Sequence, residues 1–305
     1  MSLLITGTVA FDAIETPFGK TDKIIGGAAT YIALSASYFT KDIGVVAVVG
    51  DDFPQDYIDL LRNKNINLDG LQIKKGEKSF FWSGKYFNDL NSRETLITEL
   101  NVLADFDPLV PQSQIAPDYL MLGNLSPMVQ STLIGRLAKK PKLIVMDTMN
   151  FWMDIALEDL ITTIKMVDVL TINDEEARQL SGEYSLLKAS KKIMAMGPQF
   201  LIIKKGEHGA LLFHKDEIFH APAMLLENVY DPTGAGDTFA GGFIGWLAKT
   251  DDISFENMKR AIIYGSAMAS FCVEKFGTEN ILNIDSALLR ERILAFQKLS
   301  QVDLS

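Results

Sequence analysis

Cysteine is almost missing from this 305-residue chain, with Cys272 standing alone. That excludes a disulfide framework, and the opening MSLLITGTVAF lacks the basic flank and cleavage pattern of a signal peptide, so a cytoplasmic protein is expected. Histidine is scarce as well. His208, His214 and His220 are the three present, spread along one region without neighbouring cysteines, which argues against a closed zinc site. No apolar run reaches the ~20 residues that cross a bilayer, and the longest, such as AIIYGSAMASFCV at 261–273, reads as buried helix. Positive charge is in deficit, 29 basic against 39 acidic residues for a net −10, which excludes long-range attraction to nucleic acid or an anionic membrane. A local cluster of donors can still hold one small anion. Repeats and Pro- or Gly-rich linkers are also missing, so residues 1–305 are expected to form a single unit.

Against these absences stands a regular alternation. LLITGTV (3–9), IGVVAVVG (43–50), DYLMLGN (118–124), KLIVMDT (142–148), DVLTIN (168–173) and FLIIKKG (200–206) are short apolar runs of the kind that fill a sheet covered on both faces. Between them, 28–39, 54–64, 127–138, 157–167 and 254–271 carry apolar residues at helical spacing. The fold expected is α/β, a doubly wound and mostly parallel sheet with helices on both faces. Residues 72–101 break the pattern with two or three strand-like runs, Gly and Asn-Asp turns and no helix. Together with about 10–25 they predict a small β-sheet lid, rich in Phe80, Phe81, Trp82, Tyr86 and Phe87, over the carboxyl edge where open α/β sheets bind ligands.

The most informative stretch is DPTGAGDTFAGG at 231–242, followed by FIGWLAKT. A glycine-rich turn entering a helix bares backbone N–H groups and the positive end of the helix dipole, which together bind anions, phosphate above all. Phe239, Phe243, Trp246 and Leu247 give the helix its apolar stripe. The loop GxxxxGK[ST] is absent, and GxGxxG fails because Phe239 replaces its third glycine. Asp237 among such donors has two readings. One is a cap or dipole complement worth ~0.5–2 kcal/mol. The other is a base that takes a proton from an attacking hydroxyl while Gly234, Ala235 and Gly236 hold the phosphoryl group.

DPTGAGDTFAGGF resembles the carboxyl-terminal signature of the ribokinase-like (PfkB) family of sugar and nucleoside kinases, and further family positions follow in order from residue 5 to about 280. The resemblance implies several roles. Asp12, in GTVAFD, accepts hydrogen bonds from substrate hydroxyls. Gly26 and Gly27, in IIGGAATYIA, let the backbone approach the substrate. Asn124 is a substrate contact, and Asn173 and Glu176, in TINDEEARQL, organise Mg²⁺ through water. Lys204, Gly206 and Gly209, in KKGEHGALL, form the nucleotide hairpin, and the adenine lies near Phe276 and Gly277. Asp147 and Asn150 match an Asp-x-x-Asn found in some members. Ala10 and Tyr31 depart from the family, standing where many members carry sugar-binding Asn.

The implied cofactors are ATP and Mg²⁺. A K⁺ requirement stays open, with Asp231 and Gly277 at the residues concerned, and a homodimer through the lid is implied by the same likeness. The activity expected is phosphorylation of a hydroxymethyl group on a sugar or sugar-like molecule. Two alternatives remain: a nucleoside kinase with the same chemistry, favoured by the aromatic lid, and an inactive nucleotide-binding regulator.

Overall fold

A computed structural model describes residues 1–300. The chain opens with β1 (Leu3–Thr6), β2 (Ala10–Thr16), β3 (Gly19–Lys20), β4 (Ile24–Gly26), α1 (Ala28–Ala36), β5 (Ile43–Gly50), α2 (Gln55–Asn63) and β6 (Ile66–Lys74). It continues with β7 (Phe81–Tyr86), β8 (Arg93–Glu99), β9 (Tyr119–Leu122), α3 (Pro127–Arg136), β10 (Leu143–Asp147), α4 (Asn150–Ile155) and α5 (Leu157–Ile164). The last part holds β11 (Val169–Asn173), α6 (Asp174–Ser181), α7 (Leu186–Met194), β12 (Phe200–Lys204), β13 (Ala210–His214), β14 (Glu217–Ala221), α8 (Ala235–Thr250), α9 (Phe255–Cys272) and α10 (Ser286–Ser300).

Nine strands form the main sheet in the order β14-β13-β12-β11-β10-β9-β1-β5-β6. All neighbours from β12 to β6 run parallel, and only the β12-β13-β14 end is antiparallel. Its central strands, such as β1, β5 and β9, are buried at every position because both faces are covered. Leu3 and Ile5 enter a core with α1, α8 and α9, while Leu4 enters a second core with α3, α5 and α7. Strand order reverses between β1 and β9, and the crevice beyond their carboxyl ends is where such sheets bind ligands.

A second sheet, β3-β2-β7-β8 with β4 paired to β2, draws on residues 10–26 and 81–99. It is the lid expected from the aromatic segment, with one boundary moved. Residues 72–74 finish β6 of the main sheet, paired to β5 as far as Lys74 opposite Gly50. Helices α1 and α8 lie close enough for Gly241 to touch the Ile32 backbone, and a Cβ on Gly245 would stand 2.9 Å from Ala36 Cα. Their amino ends therefore arrive together at the crevice. The middle of helix α8, from Thr238 to Gly245, is buried all round rather than along a stripe, and the partly buried Trp246 beyond it stacks on Tyr264 at 3.7 Å.

Candidate active site

The turn before α8 is built as its glycines require. Gly234 sits at φ 75°, a left-handed conformation that glycine adopts without strain, and a Cβ there would lie 2.5 Å from the Tyr31 ring. No side chain caps the helix. Among the described residues, no protein acceptor takes the Gly236 or Asp237 amide, so two donors are left facing the crevice. The turn is anchored from below by Asp231, fully buried, whose two oxygens accept the Thr233 amide at 2.8 Å and the Gly277 amide at 2.9 Å. Burial raises the pKa of Asp231, and those amide bonds partly counter the rise.

Asp237 follows in the first turn, partly open to solvent. Its pKa is pushed up to about 7, first by burial, then by Asp147, with Lys204 and Arg93 pulling the other way. Asp147 ends β10 and Lys204 ends β12, and the Lys204 ammonium bonds Asp147 Oδ2 at 2.8 Å. Lys204 Nζ also stands 3.2 Å from where a Cβ on Gly236 would be, so the ammonium lies against the turn. Burial alone would lower the Lys204 pKa, yet Asp147 and Glu176 outweigh it and raise it, holding the lysine charged.

Asn173 and Glu176 meet in a capping box at the start of α6. The Asn173 side chain accepts from the Glu176 amide at 2.8 Å, and Glu176 Oε2 accepts from the Asn173 amide at 2.7 Å. This satisfies two orphan donors of the helix. Burial lifts Glu176 to about 7, with Lys204 lowering and Asp147 raising it, and the Asn173 amide and Arg93 lowering it further. Among the described residues, no three acidic, His or Cys side chains converge to cage a metal.

On the opposite wall, Asp12 is 5% exposed on β2. Its pKa rises to about 7, chiefly by burial, the Gly27 amide lowering it and Asp231 and Asp237 raising it. Gly26 and Gly27 open the space around it, since a side chain on Gly26 would overlap the Asp12 carboxylate and one on Gly27 the Thr8 carbonyl. Trp82 pairs in register with Asp12 across β2 and β7, on the same face of the lid.

Gly206 and Gly209, at φ 54° and 81°, shape the β12–β13 turn, and Asn91 from the tip of β7–β8 presses on Gly206. Phe276 lies against Gly19 of β3, and Gly277 against Ile24 of β4, so this segment meets the lid. Asn124 is engaged at both ends, accepting from Trp152 Nε1 at 2.8 Å and donating to Met149 Sδ at 3.0 Å. Asn150 donates to Gln179 at 3.1 Å, which ties α4 to α6. Tyr86, one of the lid aromatics, reaches the glycine turn, its hydroxyl accepting from Thr233 Oγ1 at 3.2 Å; Arg93, which the sequence did not single out, has its pKa raised against burial by Tyr86, Glu176 and Asp237. A separate cavity of about 360 Å³ between α7, β13 and β14 is lined by Leu187, Met194, Phe213 and Ile218 and holds none of these groups.

Comparison with known proteins identifies the family. Residues 11–285 match the pfkB family carbohydrate kinase. A cytidine kinase of Thermococcus kodakarensis is 28% identical over 254 residues, covering 82% of this chain and 89% of that protein. A nucleoside kinase of Methanothermobacter thermautotrophicus is 26% identical and covers 94% of each. The fold matches the crystal structure of Methanocaldococcus jannaschii nucleoside kinase with a TM-score of 0.77, 21% identity and coverage of 97% of this chain and 99% of that one. The chain therefore belongs to the pfkB family of carbohydrate kinases and is an ATP-dependent small-molecule kinase.

Proposed function

We propose that this kinase transfers the γ-phosphoryl group of ATP to a hydroxymethyl group on a sugar ring, and that the ring is that of a nucleoside. The pairing of Trp82 with Asp12 on one face of the lid carries this reading. A carboxylate accepts from two neighbouring ring hydroxyls, while an indole beside it offers a flat surface for a base. The first relatives named above are themselves nucleoside kinases. Ala10 and Tyr31, standing in place of sugar-binding amides, remove contacts a free sugar would use.

In this reading the acceptor oxygen attacks the γ-phosphorus as its proton passes to Asp237, and the bond to ADP breaks. The free Gly236 and Asp237 amides stabilise charge on the transferring group, the term that dominates such catalysis. Lys204 stays charged beside them. Mg²⁺ fits a donor set of phosphate oxygens and waters organised by Glu176, Asn173 and Asp147, since it keeps several waters and takes few protein ligands; bound there it neutralises phosphate charge. The edge strand β8 is exposed along its whole length, Leu96 and Ile97 included, and supports pairing of two chains through their lids. The test is ADP release from MgATP across a panel of nucleosides and free sugars. Turnover with a nucleoside well above any sugar is expected, and turnover only with sugars would overturn the choice of acceptor.

A further inference from the structure

Thr233, the residue before Gly234, is held at each of its polar groups by a different part of the fold. Its amide donates to Asp231 Oδ1 at 2.8 Å, its carbonyl accepts from Cys272 Sγ at the end of α9 at 3.5 Å, and its hydroxyl donates to the Tyr86 hydroxyl at 3.2 Å. Tyr86 is buried on β7, the lid strand that also carries Trp82, four residues earlier and so on the same face. The lid wall bearing Trp82 is thus bonded to the glycine turn.

From the main body, Tyr31 of α1 supports the next residue. Its ring lies so close to Gly234 that a Cβ there would stand 2.5 Å away, and the side chain is 1% exposed. Its hydroxyl has no hydrogen-bond partner among the described residues, although a buried polar group left unpaired is costly. What Tyr31 supplies to the turn is therefore its flat ring. α1 itself starts two residues after Gly26, which makes room for Asp12, so this support also comes from an element beside the acceptor wall. Gly236 and Asp237, whose amides no protein acceptor takes, follow within three residues of Gly234. The direction of those amides depends on how Thr233 and Gly234 are seated.

We propose that Tyr31 and Tyr86 are positioning residues that clamp the glycine turn between α1 and the lid, Tyr31 through its ring and Tyr86 through its hydroxyl. This rests on the kinase reading above. In this role neither tyrosine touches ATP or the acceptor. Each acts through Thr233 and Gly234 on the Gly236 and Asp237 amides, where a displacement of ~1 Å can cost about 10²-fold in rate. Because one tyrosine works by its ring and the other by its oxygen, the same Tyr→Phe change should spare one position and harm the other.

Steady-state kinetics of the full chain, with the acceptor found by ADP release and at a temperature well below the melting point of each variant, test this. Tyr31→Leu should lose about 10²-fold in kcat while the acceptor KM moves by less than about threefold. Tyr31→Phe keeps the ring and should restore kcat to within about twofold of the parent. Tyr86→Phe should instead lose about fivefold in kcat, the worth of one hydrogen bond. Thr233→Val should lose at least as much, and the double variant no more than Thr233→Val alone. Equal losses in Tyr31→Phe and Tyr31→Leu, a parent-like kcat in Tyr31→Leu or Tyr86→Phe, or additive losses at positions 86 and 233 would overturn the clamp. If no acceptor turns over, the kinase reading fails while titration with MgATP alone still tests the clamp: Tyr31→Leu should bind about tenfold more weakly, the loss of one charged hydrogen bond, and Tyr31→Phe like the parent. Equal affinity of Tyr31→Leu and the parent would reject it.

Discussion

The Asp12 carboxylate occupies the volume that a side chain on Gly26 would need, although in the antiparallel β2–β4 pairing Gly26 stands opposite Ala10 and Asp12 opposite Ile24. Asp12 is buried and polar, so its position is set by packing as much as by hydrogen bonds. Gly26→Ala should therefore push Asp12 aside while leaving the turn at 231–237 intact. We expect acceptor KM to rise at least about tenfold, the worth of one charged hydrogen bond, with MgATP affinity unchanged by titration. An unchanged acceptor KM would mean that Asp12 does not touch the acceptor.

Gly234 is held by two independent constraints, its φ of 75° and the Tyr31 ring 2.5 Å from any Cβ. Gly234→Ala should cost about 1–3 kcal/mol from the backbone alone, with the ring clash added, and kcat should fall as the free amides shift. Thermal unfolding and kinetics measured on the same sample check both. A variant with the parent melting temperature and rate would show that the turn is not constrained as described.

The acid–base behaviour of Asp237 gives a signed expectation. Its pKa of about 7, raised from 3.8 chiefly by burial, leaves the base protonated and idle in mildly acidic solution. The ratio kcat/KM, which reports the free enzyme, should rise with pH through about 7 and level off above it. A limb in the ordinary carboxylate range near 4 would show that another group limits the reaction.

The same shifts bear on stability. Asp12 and Asp237 both have folded pKa values of about 7 against an ordinary carboxylate value of 3.8. Between those values the folded chain holds protons that the unfolded chain has released, so stability falls as pH rises through this window. Asp12→Asn and Asp237→Asn should each raise the melting temperature, least near pH 4 and most above about pH 7. A stabilisation larger at pH 4 than at pH 8 would contradict the burial argument.

The sheet was readable because its strands are buried on both faces. Ile43–Gly50 is apolar at every position and forms β5 without a residue's error, and the alternation with helices led directly to the doubly wound order. DPTGAGDTF was readable because side-chain-free residues before a helix have few other uses. Much of the site was not. β6 alternates buried and exposed positions, so its last residues resembled the lid that follows. The Lys204–Asp147 pair joins the ends of strands separated by β11, and no local pattern marks it. Tyr86 meets Thr233 across 147 residues, a contact set by lid docking rather than by composition. Asn124 has the right place at a strand end, but Trp152 and Met149 already take its side chain, which only the packing of α4 reveals.

In the proposed reaction the Asp237 carboxylate, beside two unpartnered amides, takes the acceptor's proton. Single-turnover ADP formation by Asp237→Asn, with MgATP and acceptor both saturating, tests it most directly. A fall of about 10²-fold or more is expected, with MgATP affinity kept near that of the parent. A parent-like rate in that variant would contradict it.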